Sequence, residues 1–432
     1  KRRGFIVKVF VIGSGGREHA LSYALSKSPI VQRLYWTPGN AATGEIAENP
    51  RIKADDFKAL LGFARKEKID ITVVGPEFPL VNGIADLFIE HGLRVFGPTS
   101  GGARIEGSKI FAKKMMEEKG IPTATYREFF EVQAALEYLH QMDPPFVIKA
   151  DGLAAGKGVL IVDSEKNARE ALADMFERKV FGESGTCVVI EKFLEGEEAT
   201  VLALCDGHTV VPLISSQDHK PVYDGDRGPN TGGMGAIAPA PVVNTTVLGR
   251  VIDRILLPLV DEFRKRGIDY RGVIYAGLMV EDDNPSVVEF NCRFGDPEIE
   301  AVVPLLESDL AESIIGTVNG DLKSCTIAWK KGYACDVVMA SGGYPGPYEK
   351  GKEIQGLDVY SSDNDVYVFH AGTAVKSGRV VTNGGRVLNV VSTGKTLQEA
   401  ISGSYAAVDK IRFEGAYYRN DIGFRGLKYF TK

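Results

Sequence analysis

Between Pro145 and Val162 the chain reads PFVIKA, DGLAAGKG, VLIV: two strand-like runs joined by a loop that opens on Asp151 and carries Gly152, Gly156, Lys157 and Gly158, with Lys149 in the first run. Glycines let backbone N–H groups approach an anion closely, and the two ammonium groups add positive charge beside them, which is the chemistry of phosphate binding. A P-loop is excluded. Its pattern, G-x-x-x-x-G-K-[ST] between a strand and a helix, fails here because Gly152 and Gly156 stand one residue too close, Gly158 replaces the hydroxyl, and a strand follows. The loop therefore caps a hairpin, a flap able to close over the phosphates of ATP. Taken alone, the segment also fits a glycine-rich turn with exposed lysines.

A second constellation is VVEFNCR, residues 287–293. In a strand alternate side chains share a face, so Glu289, Asn291 and Arg293 point one way while Phe290 and Cys292 point into the apolar layer. A carboxylate and an amide oxygen two residues apart suit magnesium, which shares hard oxygen ligands with nucleotide phosphates and water. Arg293 can hold a carboxylate bidentately. The other reading is the polar outer face of an edge strand.

Three further segments surround these two. Gln217-Asp218-His219-Lys220 through DGDRGPNTGGMGA is a long polar stretch with fixed charges and close-approach glycines, expected to be a substrate-covering loop. His219 has no serine or cysteine nucleophile in any recognisable elbow near it, so a structural hydrogen bond is its expected use. The run VIEKFLEGEE, residues 189–198, offers extended backbone to an adenine edge and Glu198 to ribose hydroxyls. The turn Gly13-Ser14-Gly15-Gly16-Arg17-Glu18 resembles a dinucleotide loop but has Glu18 where the third glycine belongs, and no acid follows in LYWTPGN. What remains is a strand-to-helix turn whose free N–H groups favour an anion such as a phosphate monoester, or a tight turn with no ligand.

The elements that must position these groups follow from periodicity. FIVKVFVIG reads as a buried strand feeding the helical GREHALSYALSK, and ITVV and LRVF repeat the strand signal, so the first hundred residues form a doubly wound parallel α/β unit. From about Gly107 the pattern is helix, strand, flap, strand and helix. A strand-rich stretch with long loops continues to about residue 310, and beyond Lys330 come short strands, an Asn383-Gly384 hairpin signal and one amphipathic helix. That helix has a Thr396/Glu399 capping box and buries Leu397, Ile401, Val408 and Ile411. At 432 residues the expected organisation is about three domains. A net charge of -6 excludes a global basic field for nucleic acid, and no apolar run reaches membrane-spanning length. The five cysteines, at 187, 205, 292, 325 and 335, form no CxxC pair, which argues against structural zinc and a disulfide framework and fits a reducing cytoplasm.

The strings GSGGREHAL, PGNA, VGPEFPL, EGSK, VIKADGLAAGKGV, VIEKFLEGEE, QDHKPVYDGDRGPNTGGMGA, EFNCRFGDPE, HAGT, GGRVLNV and YRNDIG, in this order from about Val9 to Gly426, resemble the phosphoribosylamine–glycine ligase family of the ATP-grasp superfamily. The resemblance implies a cytoplasmic enzyme of de novo purine synthesis that uses ATP with Mg²⁺ or Mn²⁺ and whose partners are the small molecules glycine and 5-phosphoribosylamine. Neither nucleic acid nor membrane is implied, and relatives are often monomers or parts of larger fusions. It implies an N-terminal substrate domain at 5–106, a two-part ATP-grasp domain at 107–325 with its flap at about 124–196, and a small α+β domain at 330–427. ATP should be held by Lys109, Lys149, Asp151, Gly152, Gly156, Lys157, Gly158, Glu191, Phe193 and Glu198, and the metal by Glu289 and Asn291. Lys149, Glu289 and Arg293 are the expected catalytic groups. Substrate is expected near Gly15, Gly16, Arg17, Glu18, Asn40 and Glu77, with Asp218, Lys220 and Arg293 toward the phosphate and glycine region. The chain departs from the family at Pro221, Ile237 and Cys292, none of them a proposed ligand. Rivals are another ATP-grasp ribonucleotide ligase, carboxylase or transformylase, and a non-catalytic nucleotide sensor.

Overall fold

The computed structural model describes residues 6–153, 158–178, 180, 182, 186–357 and 365–430. Val7–Gly13 is buried along nearly its whole length and lies inside a four-stranded parallel sheet, ordered Val31–Pro38, Val7–Gly13, Ile71–Val74, Val95–Phe96. A strand covered on both faces needs a continuous apolar run, and VKVFVIG supplies one. The carboxyl ends of these strands carry the Gly13–Glu18 turn, Asn40 and Glu77, as expected for an open α/β sheet.

The flap expectation holds in outline. Phe146–Ala150 pairs antiparallel with Val159–Val162, and Ala150 N–H donates to the Gly158 carbonyl at 2.8 Å, so a hairpin loop begins at Asp151. Gly156 and Lys157 lie outside the described residues. This hairpin belongs to a four-stranded sheet with Tyr126–Phe129 and Val188–Lys192. It has its own small core, built from Phe129, Leu136, Phe146, Ile148, Leu172 and Ile190. A separate antiparallel sheet, ordered Val210–Pro212, Glu197–Asp206, Arg271–Glu281, Asn284–Asn291, carries the acidic strand at its edge.

Two expectations are corrected. The stretch 217–238 is not one long loop: Gln217–Asp218 and Gly235–Ala238 are strands of a five-stranded sheet completed by Tyr333–Ala340, Arg386–Gly394 and Val366–His370, and Pro221–Tyr223 pairs with Arg227–Asn230 between them. Polar and glycine-rich composition concealed them, and Tyr333–Ala340, the strand that carries Gly235–Ala238 and through it Gln217–Asp218, lies about a hundred residues on. The Asn383-Gly384 pair is likewise no two-strand hairpin. Thr373–Lys376 and Arg379–Thr382 turn at Ser377-Gly378, both at positive φ, whereas Gly384 approaches Gly372 so closely that a Cβ on Gly372 would lie 2.5 Å from its Cα. The helix Leu397–Val408 has the expected capping box and buries Leu397, Ile401 and Val408, while Ile411 is buried just past its end. No helix among the described residues is long and apolar enough to cross a membrane.

Histidines fasten the parts together. His370 N–H donates to His19 Nδ1 at 2.7 Å, and Gly423 N–H donates to His219 Nε2 at 3.1 Å, which meets the structural expectation for His219. Burial, reinforced by His370, pushes His19 down to about 3. The native state therefore refuses a proton that an unfolded histidine accepts near pH 6.5, so this contribution is intact above pH 6.5 and is lost as pH falls toward 3. His19→Asn, whose amide oxygen can replace Nδ1 as acceptor, is expected to lose about 2 kcal/mol less stability than the parent between pH 7 and 5. Urea midpoints of both proteins at both pH values test this, and parallel losses would refute it.

Candidate functional site

The cationic floor is built from three strands and a helix. Lys149 Nζ lies 2.9 Å from Glu191 Oε1 and donates to the Val288 carbonyl at 2.9 Å. Glu191 Oε2 also meets Lys113 Nζ at 3.0 Å, and Lys113 donates to Thr123 Oγ1 at 2.7 Å. All three charged groups are buried, so Glu191 sets the direction of Lys149 and balances both lysines. Burial, outweighing Glu191, lowers Lys113 to about 8. Sequence reasoning passed over Lys113; its signal was the i, i+4 spacing from Lys109 on the helix Lys109–Lys119.

The base of the flap is tied to that helix. Asp151 accepts from Ser108 Oγ at 3.1 Å and from Ile110 N–H at 3.1 Å, and Lys109 Nζ donates to the Gly152 carbonyl at 3.0 Å. Asp151 therefore satisfies a helix start, and Gly152, at φ 123°, makes the turn away from it. On the other side of the flap Phe193 is half-buried, next to a cleft lined by Leu194, Glu195, Met279, Glu281 and Ser286.

On the acidic strand, Phe290 and Cys292 are buried as expected. In the orientation of the Asn291 amide that satisfies both its ends, Nδ2 donates to Glu106 Oε1 at 2.9 Å and to the Phe290 carbonyl at 3.3 Å. Oδ1 then takes the position 3.5 Å from Glu289 Oε1. Two oxygens without a hydrogen between them, on one strand, are a donor pair that fits a hard divalent cation. Gly277 is the residue paired with Glu289, and no acid stands on that neighbouring strand beside it. Among the described residues no cluster of three His, Cys, Asp or Glu side chains could hold a metal, so further ligands would have to be phosphate oxygens and water. Burial works to raise Glu289, but Lys220, Lys149, Lys109 and Arg293 outweigh it and hold the carboxyl below its usual value. Arg293 itself is clamped by Glu106 Oε1 at 2.9 Å and lies 3.4 Å from Glu77 Oε2. Glu106 was missed because nothing in EGSK marks it as facing this strand.

Asp218 and Lys220 come from the five-stranded sheet's edge. Lys220 Nζ lies 3.2 Å from Glu198 Oε2 and 3.5 Å from Asp218 Oδ2, so Glu198 anchors this lysine. Asp218 Oδ1 has no hydrogen-bond partner among the described residues. Burial, only partly countered by Lys220, pushes Asp218 up to about 8.

The N-terminal turn uses much of its own polarity. Glu18 accepts from Gly15 N–H at 2.6 Å and from Arg17 Nε at 2.6 Å, and Arg17 also donates to the Phe294 carbonyl at 3.1 Å. Asn40 Nδ2 donates to the His370 carbonyl at 2.6 Å and its Oδ1 accepts from Ala42 N–H at 3.0 Å. These side chains shape the turn and lock it to the C-terminal sheet. Gly15, partly exposed, packs against Asp296, and the buried Gly16 packs against Glu300 and Asn389.

Comparison with known proteins adds to this geometry. The N domain of phosphoribosylglycinamide synthetase matches residues 7–106, its ATP-grasp (A) domain 107–299 and its C domain 334–425. The chain is 48% identical over 416 residues to phosphoribosylamine–glycine ligase of Caldanaerobacter subterraneus subsp. tengcongensis, covering 96% of this chain and 99% of that protein. It is 47% identical over 426 residues to the Salmonella typhimurium ligase, covering 98% and 99%. The crystal structure of the Thermotoga maritima phosphoribosylamine–glycine ligase superposes with a TM-score of 0.82 at 37% identity, covering 96% of this chain and 100% of that one. The biotin carboxylase domain of Hydrogenobacter thermophilus 2-oxoglutarate carboxylase, solved with MgADP, ADP and bicarbonate, shares the fold at a TM-score of 0.75 and 16% identity, covering 96% and 92%.

Proposed function

The chain belongs to the phosphoribosylglycinamide synthetase family, the phosphoribosylamine–glycine ligases, and from that premise we propose that it joins glycine to 5-phosphoribosylamine at the expense of ATP, giving glycinamide ribonucleotide, ADP and phosphate in de novo purine synthesis. The observation that carries the reading is the charge arrangement at the flap mouth: one carboxylate, Glu289, set among Lys109, Lys149, Lys220 and Arg293 from four different segments. Such a convergence of cations on one carboxylate suits polyanionic ligands, and a triphosphate beside a carboxylate and a phosphate monoester fits it.

Glycine's carboxylate is a poor acyl donor, so it first takes the γ-phosphoryl group of ATP, forming glycyl phosphate. The ribosylamine nitrogen then attacks the carbonyl carbon and phosphate leaves. Charge develops on the transferring phosphoryl oxygens, so the chain's task is positioning and electrostatic stabilisation. Lys149, held by Glu191, and Lys109 face those oxygens; Glu198 takes the ribose hydroxyls and the Glu191–Phe193 segment the adenine side. Glu289 and Asn291 would hold Mg²⁺ or Mn²⁺, which when bound neutralises charge on the β- and γ-phosphates. Gly152 and Gly158, with Gly156 and Lys157 between them, cover the phosphates and keep water from the acyl phosphate. Arg293, Asp218 and Lys220 bound the phosphate and glycine region, and Gly15, Gly16 and Arg17 the ribosylamine, with Glu18, Asn40 and Glu77 setting the shape of that side. We read the domains as 5–106, 107–325 and 330–427, and the compartment as the cytoplasm.

Glycine with heavy oxygen in its carboxylate should transfer that label to released phosphate, in an assay that also needs ATP and phosphoribosylamine. Label confined to the amide would reject glycyl phosphate, and ADP release without glycine would reject the ligase reading.

A further inference from the structure

The motif GGRVLNV and the turn FGDPE hold the groups that the phosphoryl step leaves unused. Arg386 Nη1 donates to the carbonyls of Gly232 at 2.7 Å and Asp296 at 2.8 Å and lies 3.1 Å from Asp296 Oδ1. One guanidinium from the C-terminal sheet thus ties the loop before Gly235–Ala238 to the turn after the acidic strand. A Cβ on Gly232 would lie 3.0 Å from the guanidinium carbon, so the loop rests directly on it.

This grip leaves the second oxygen of Asp296 facing the N-terminal turn. A Cβ built on Gly15 would come 3.1 Å from Asp296 Oδ2. Among the described residues no donor hydrogen-bonds that oxygen, and the Asp296 side chain is 13% exposed. Behind it lie Glu300 and Asp336, fully buried, with all four carboxyl oxygens lacking a partner among the described residues, and Asn389 with both amide atoms equally unpartnered. Glu300 Oε1 and Asn389 Nδ2 press on Gly16, within 2.5 and 2.1 Å of a Cβ placed there. Burial, with Asp296 adding to it, holds Glu300 and Asp336 well above the usual carboxylate range.

The carboxylates near the turn that lie outside this cluster are engaged. Glu18 is held by Gly15 and Arg17, and Glu77 and Glu106 lie against Arg293. Asp296 is the acid of its cluster that is not fully buried, and its Oδ2 lies against Gly15.

We propose that Asp296 is the base that takes the proton from the attacking ribosylamine nitrogen, and that Arg386 is the residue that positions it; this rests on the ligase reading above. The nitrogen lone pair forms the C–N bond to the carbonyl carbon of glycyl phosphate, the N–H electrons stay on nitrogen, and the proton passes to Asp296 Oδ2. The C–O bond to phosphate breaks and its electron pair leaves with the phosphate. The proton then returns from Asp296 to phosphate or water.

Hydroxylamine separates the two half-reactions, because it captures an acyl phosphate as a hydroxamate with phosphoribosylamine absent. In Asp296→Asn, amide formation should fall about 10²-fold or more, the scale of a lost general base, while glycine-dependent hydroxamate formation falls less than tenfold. Arg386→Lys keeps the charge but loses the planar fork, and should shift the same amide-to-hydroxamate ratio in the same direction by a smaller factor. Equal falls in both rates, in either variant, would overturn the proposal. Absence of glycine-dependent hydroxamate in the unaltered enzyme would instead overturn the ligase reading, and this proposal with it.

Discussion

Glu289→Gln should lower kcat about 10²-fold or more at saturating ATP, the scale for removing one preorganised charge-stabilising group. The carboxylate sits where four cations hold it ionised, and Asn291 beside it is a neutral donor. Glutamine keeps the shape and removes the charge, so Lys149, Lys220 and Arg293 would keep their partners Glu191, Glu198 and Glu106 but lose the one carboxylate they share. The same substitution should weaken Mn²⁺ binding in the presence of a non-hydrolysable ATP analogue by tenfold or more, read by electron paramagnetic resonance. That second readout separates loss of the cation from loss of the chemical step. Unchanged turnover at saturating Mg²⁺, with Mn²⁺ affinity intact, would remove Glu289 from the site.

Lys149→Met is expected to cost about 10² to 10³ in kcat, again the range for one electrostatic contact to the reacting phosphoryl group. Methionine fills the volume of the lysine stem without its charge. Truncating a buried ion pair normally costs roughly 3–5 kcal/mol because a charge is left unpaired. Here Glu191 retains Lys113 at 3.0 Å, so folding should survive and the deficit should appear in turnover. Comparison with Glu191→Gln sharpens the result: both Lys113 and Lys149 would lose their counter-charge while Lys149 keeps its bond to the Val288 carbonyl, so the melting midpoint should fall together with kcat, unlike in Lys149→Met. Turnover of Lys149→Met within tenfold of the parent, in protein with an unchanged melting midpoint, would contradict this role.

The strand–loop–strand of residues 146–162 was legible because its signal is local: apolar runs of strand length flank a glycine loop, and the pairing partner is the next strand along. Three strands of the parallel sheet in the first hundred residues were legible for a similar reason, since continuous apolar composition marks them, whereas Val31–Pro38, interrupted by Gln32 and Arg33, was not read as a strand. Glu289 and Asn291 followed from the two-residue period of a strand. The segment 217–238 was not legible as strands, because what makes Gly235–Ala238 extended is pairing with Tyr333–Ala340, and Gln217–Asp218 in turn pairs with Gly235–Ala238; their own side chains do not signal it. Ser377-Gly378 competed with Asn383-Gly384 for the same turn signal, and only the packing of Gly384 on Gly372 decided between them.

The sequence by itself determined the chemistry available: which segments bear ammonium groups, which strand bears hard oxygens, and which turns let backbone approach an anion. Tertiary structure alone decided how those groups divide their work. It used Glu18, Asn40 and Asp151 to hold turns and a helix start, enlisted Lys113 and Glu106 as supports, and brought Arg386 from the far end of the chain onto Asp296. The physical reason is range: periodicity and glycine spacing act over a few residues, whereas a buried charge must find its counter-charge wherever the fold brings one within about 3 Å.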